Sequence, residues 1–146
     1  MCDVTIVSQD PTERSDRLEF SFSAVVEEGC GRGRRLGFPT ANLAVGPEQV
    51  AALARGVYVA RVQWNVDGDH GGREYGAVIN IGVRPTFSER ELVVEAHLLD
   101  FSGNLYGKLL EVSVFERLRE ERRCADVESL ILQVRKDIEM ARTALK

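Results

Sequence analysis

Cysteine is scarce in this sequence. Cys2, Cys30 and Cys124 are scattered over 146 residues, an odd number with no C-x-x-C pair. That argues against a disulfide framework or a zinc knuckle and points to a reducing compartment, with the cytoplasm as the expected location. No apolar run approaches the roughly 18 residues that cross a bilayer, so a membrane partner is not expected. The first ten residues lack both a basic start and an apolar centre, which argues against a secretory leader. Positive charge is not in excess: 19 basic residues face 23 acidic ones, a formal net charge of −4. A nucleic-acid partner is therefore not expected, because phosphate-backbone binding needs a broad basic surface. Internal repeats and low-complexity tracts are also missing.

What is present suits one globular domain. The chain is long enough for a single core, and its 44% apolar and 29% charged residues fit that class. Residues 1–17 are polar and aperiodic and read as a flexible or strap-like lead-in; residues 18–146 read as the domain. Phe20, Phe22, Ala24 and Val26 alternate, which predicts a half-buried strand over 18–27. Pro47 is placed to open a short helix over 48–54, ended by Gly56. Strands are predicted over 56–64 and 75–81, joined by a polar hairpin loop at 65–72. Arg84-Pro85-Thr86 should break the pattern. A strand over 92–99 turns Leu92, Val94, Ala96 and Leu98 one way and Glu95 and His97 the other. A last strand covers 109–115, and the charged residues 117–123 read as a loop. Val127, Leu130, Ile131, Val134, Ile138, Ala141 and Leu145 recur at helical spacing. Asp126 is a candidate N-cap, with Glu128 in the first turn. Five or six strands with short connections, then one long helix, predict an antiparallel sheet closed into a small barrel.

The segment 29–42 carries the chemistry. Gly29, Gly31, Gly33 and Gly37 permit close backbone approach to a ligand, and successive N–H groups there can cup phosphate oxygens. Arg32, Arg34 and Arg35 add positive charge. The alternative is a solvated loop between two elements. It is neither a Walker loop nor a Rossmann turn. Thr40 and Asn42, two apart in an extended segment, share a face and offer hard oxygens suited to Mg²⁺. A turn-stabilising Thr/Asn pair is the plainer reading of that spacing. Glu95 interrupts an apolar strand. It is a general base or a solvent-facing carboxylate. His97 shares its face and is given no chemical role.

These residues resemble a known family. The run Gly31-Arg32-Gly33-Arg34-Arg35-Leu36-Gly37-Phe38-Pro39-Thr40-Ala41-Asn42-Leu43 matches the riboflavin kinase signature around G-x-P-T-A-N. The resemblance continues through Gly56-Val57-Tyr58, residues 80–87, 94–100 and 104–108, and Leu118-Arg119-Glu120-Glu121. It reaches Asp137 and Ala141-Arg142 in the final helix, covering about residues 20–146. It looks most like the kinase module of bacterial bifunctional flavokinase/FAD synthetases. The resemblance implies a mainly β fold: a six-stranded antiparallel Greek-key barrel with a C-terminal helix. It implies an ATP:riboflavin 5′-phosphotransferase that makes FMN. Gly29, Gly31, Arg32, Gly33, Arg34, Arg35, Gly37, Pro39 and Thr40 would line the ATP phosphates. Thr40 and Asn42 would hold Mg²⁺, and Glu95 would be the catalytic base. Val112, Phe115 and Arg119 would lie on the flavin side, with Arg119 on a mobile loop. Without a nucleotidyltransferase domain the product is expected to be FMN and not FAD, from a monomer whose partners are small molecules. Two departures stand out. Glu120 replaces the family's proline, and Cys124 stands where an aromatic is usual. Both concern the flavin loop. They motivate an alternative, a flavin- or nucleotide-binding sensor or carrier without turnover. A third reading is an inert interaction domain.

Overall fold

Alternation along the strands decides which side chains meet. The computed structural model describes residues 5–6, 17–27, 37–66, 69–85, 87–122 and 124–146. The strands are β1 (Thr5–Ile6), β2 (Arg17–Glu27), β3 (Ala41–Ala44), β4 (Gly56–Val66), β5 (Asp69–Pro85), β6 (Arg90–Leu98) and β7 (Leu109–Arg119). One helix, α1 (Val127–Ala144), follows. All pairings are antiparallel, in the order β1-β2-β3-β6-β5-β4-β7, and β2 also pairs with β7. That extra pairing closes β2, β3, β6, β5, β4 and β7 into a six-stranded barrel, with β1 as a two-residue addition to β2. Closure leaves the six strands without a free edge.

Every second residue fills the interior. Phe20, Phe22, Ala24 and Val26 of β2 meet Tyr58, Ala60, Val62 and Trp64 of β4, with Ile79 and Ile81, Val94 and Ala96, and Leu110, Val112 and Val114 from the remaining long strands. A ring trio, Trp64, Tyr75 and Phe101, packs at centroid separations of 5.1 to 5.5 Å.

Several elements differ from the sequence-based expectation. The β4–β5 hairpin is longer, with pairing that runs out to Val66↔Asp69, so most of the expected loop is strand. Arg84 and Pro85 stay in β5, where Pro85 faces Arg90 on β6. Arg117 to Arg119 belong to β7 because β4 still offers partners there, Tyr58 for Arg117 and Val57 for Arg119. The helix expected over 48–54 is one 3₁₀ turn, Pro47–Gln49. Gln49 accepts from the Gly46 N–H and donates to the Ser23 carbonyl, both at 3.0 Å, which ties the turn down early. Val50 and Leu53 then enter the barrel core.

Helix α1 begins as its sequence indicates. The Asp126 carboxylate accepts from the Ser129 N–H at 2.8 Å, satisfying one of the donors a helix start leaves open. Its C-terminal half does the packing. Ile138, Ala141, Ala144 and Leu145 meet Val59, Val78, Leu99, Phe115 and Leu118 on the outside of the barrel. Val127, expected in the apolar stripe, is exposed. Arg142 fastens the far end by two hydrogen bonds to Asp100, at 2.8 and 2.9 Å.

Candidate functional site

β6 sets Glu95 on the outer wall. Val94 and Ala96 fill the barrel, so Glu95 and His97 face the other way. The cross-strand neighbours of Glu95 are polar: Asn42 of β3 on one side and Asn80 of β5 on the other. Residues so paired share a face with Cβ atoms about 5 Å apart, which flanks the carboxylate with two amides. The row extends at one end to Glu27 on β2 and at the other, through Val57 on β4, to Arg119 on β7.

Thr40 arrives from the approach to β3. Gly37 has φ +92°, a backbone angle that a side chain would strain, and it turns the chain into Phe38 and Pro39. Thr40 then donates its hydroxyl to Glu95 Oε2 at 3.2 Å. Thr40, Asn42 and Glu95, singled out separately in the sequence, therefore meet in one place. Among the described residues no group of three or more His, Cys, Asp or Glu could cage a metal. The donors present are a hydroxyl and an amide oxygen beside a carboxylate. That set fits Mg²⁺, which keeps waters and takes phosphate oxygens, better than an ion held wholly by protein. Gly29, Gly31, Arg32, Gly33, Arg34 and Arg35 lie outside the described residues.

The residues expected on the flavin side separate. Val112 is wholly inside the barrel core, which leaves it no surface for an outer-wall ligand. Phe115 lies outside, beneath α1, with the Arg61 guanidinium carbon 5.2 Å from its ring centroid. Two strands lie between β6 and β7 in either direction around the barrel, so neither residue joins the Glu95 site. Arg119 ends β7 and is anchored. Its Nε and Nη2 donate to the two carboxylate oxygens of Asp137 on α1 at 2.8 and 2.7 Å, and Nη1 donates to the Glu120 carbonyl at 3.0 Å. Asp137, 3% exposed, also accepts from Gln133 Nε2 at 3.0 Å. The chain leaves β7 only after Arg119, and the Glu121 carboxylate then lies where a Cβ on Gly82 would be.

Asn80 falls within the resemblance over residues 80–87, but the sequence assigns it no role. Its signal is a lone amide between Ile79 and Ile81, but only the register shows that it faces Glu95. Cys124, the one cysteine among the described residues, is a free thiol.

Fold and site together define a class: a closed six-stranded antiparallel barrel that carries its polar site on the outer wall. The chain belongs to the riboflavin kinase family, whose model, Flavokinase, matches residues 17–145. It is 37% identical over 134 residues to the bifunctional riboflavin kinase/FMN adenylyltransferase of Pseudomonas fluorescens, an alignment covering 91% of this chain and 40% of that protein. It is 39% identical over 118 residues to the RNA-binding riboflavin kinase RibR of Bacillus subtilis, covering 80% of this chain and 47% of that one. The chain thus spans less than half the length of either relative. The crystal structure of riboflavin kinase from Trypanosoma brucei shares the fold, with TM-score 0.64 and 22% identity over 87% of this chain and 77% of that one.

Proposed function

We propose that residues 18–146 form a domain that transfers the γ-phosphate of ATP to the 5′-hydroxyl of riboflavin, giving FMN and ADP. The observation that carries this is the meeting of Thr40, Asn42 and Glu95 on the outer wall of a riboflavin kinase barrel. Mg²⁺ held by Thr40 and Asn42 would neutralise charge on the phosphate oxygens. Glu95 accepts the proton of the 5′-hydroxyl as its oxygen attacks the γ-phosphorus and the bond to the bridging oxygen of ADP breaks. Asn42 and Asn80 flank the carboxylate across the strands, and the Thr40 hydroxyl donates to it. Phosphoryl transfer depends mainly on positioning and charge, so the glycine- and arginine-rich run 29–37 would supply N–H groups and guanidinium groups around the phosphates. Arg119 would stand on the flavin side. The domain is read as a cytosolic monomer; three scattered cysteines without a C-x-x-C pair support the reducing compartment.

The test is to incubate the protein with riboflavin, ATP and Mg²⁺ and resolve the flavins by chromatography. FMN should form, and Glu95→Gln should lower turnover by about 10²–10⁴-fold. Riboflavin that binds but never becomes FMN would convert the reading to a flavin sensor or carrier.

A further inference from the structure

We propose that His97 is a positioning residue for Mg²⁺·ATP: it clamps the segment that presents Thr40 to the site. This rests on the kinase reading of Thr40 and Glu95. His97 Nδ1 lies 2.8 Å from the Pro39 carbonyl oxygen. A carbonyl only accepts, so Nδ1 carries the proton and donates. The Phe38 ring stands edge-on to the same imidazole, with centroids 6.2 Å apart and planes at 81°. The segment is then stitched to β6 at successive points. Phe38 and Pro39 are held by His97, Thr40 by Glu95, and Ala41 by its pairing with Ala96.

Without the first of these points, Thr40 would hang between the Gly37 turn and β3, held from one side only. Gly37 gives the turn no stiffness of its own, and Pro39 fixes only one backbone angle. The Nδ1 bond is what sets the height of Pro39, and hence of Thr40, above the sheet. A hydroxyl displaced by a fraction of an ångström loses its alignment on a metal–phosphate complex. His97 thus reaches the nucleotide through the backbone of Pro39, without touching the reacting atoms. On the kinase reading this segment serves Mg²⁺·ATP, and the flavin is assigned to the Arg119 side.

Two variants separate the role from mere packing. His97→Asn keeps an N–H donor at the δ position; His97→Leu fills the space without one. In FMN formation, His97→Leu should raise the KM for Mg²⁺·ATP about three- to tenfold, the effect of one lost hydrogen bond, and leave the KM for riboflavin unchanged. His97→Asn should restore most of the loss. Calorimetric titration with Mg²⁺·ADP should show the same order of affinities. In the unaltered protein, imidazole ¹H–¹⁵N NMR should place a proton on Nδ1. An unprotonated Nδ1, an equal rise in both KM values, or no rescue by asparagine overturns the inference. If the unaltered protein binds Mg²⁺·ADP but makes no FMN, the kinase reading fails while the titration still decides the role of His97. If it binds no nucleotide, both fail.

Discussion

Asp126 and Asp100 both hold their protons less tightly than a free carboxylate, each for a local reason. At Asp126 the cause is the Ser129 backbone N–H, which donates to the charged form at the start of α1. At Asp100 it is the pair of hydrogen bonds from Arg142. A carboxyl group with a lowered folded-state pKa stabilises the fold fully above its unfolded pKa, about 3.9, and that contribution is lost as pH falls through the lower folded value. The urea midpoint of the protein should therefore exceed that of Asp126→Ala by a constant margin above about pH 4, and the margin should close below it. A margin that persists unchanged to pH 2 would remove Asp126 from the account. Asp100 also adopts φ 59°, a left-handed angle that aspartate tolerates better than most residues, so its pairing with Arg142 comes from a tight turn after β6.

At the scale of elements, the contact between β7 and α1 matters most. The Arg119–Asp137 pair is nearly dry, with side chains 17% and 5% exposed. Removing one partner of such a pair leaves the other charge buried and unpaired. Asp137→Ala should thus cost about 3–5 kcal/mol in urea denaturation. A loss below about 1 kcal/mol would mean that water already reaches the pair. This contact was not legible in the sequence. Asp137 sits at helical spacing from Val134 and Ala141, an oddity on an apolar face, but its partner lies 18 residues earlier on a strand that sequence reading ended at Phe115. The strands with clean alternation, β2 and β6, were legible because a two-residue period needs no partner to be read. The outer ends of β4, β5 and β7 were not. Their residues are polar, and pairing across the barrel keeps them extended. The site divides in the same way. Thr40, Asn42 and Glu95 were visible as chemistry and as a family resemblance, whereas Asn80 and His97 acquire meaning only from register and from the Pro39 carbonyl.

At the scale of the molecule, the barrel has one main core and one continuous ladder. Three of its six strand pairings, β3–β6, β4–β7 and β2–β7, join strands that are not neighbours in the chain, so parts of it have little means of standing alone. Unfolding by urea should be a single transition in which tryptophan fluorescence, from Trp64 in the core, and far-ultraviolet circular dichroism coincide. Separated transitions would show that α1 or a hairpin melts on its own. The helix has its own reason to go with the barrel: its buried residues face β4, β5 and β7 together.

The row that runs from Glu27 through Asn42, Glu95 and Asn80 has a further consequence. In a closed ring no strand can slide alone, and a slip of one residue in β6 would turn Glu95 into the core and push Val94 into water. The polar site therefore has no damaged intermediate form in which its carboxylate is slightly out of register. By register alone, each molecule either presents Glu95 on the outer wall between Asn42 and Asn80 or turns it inward.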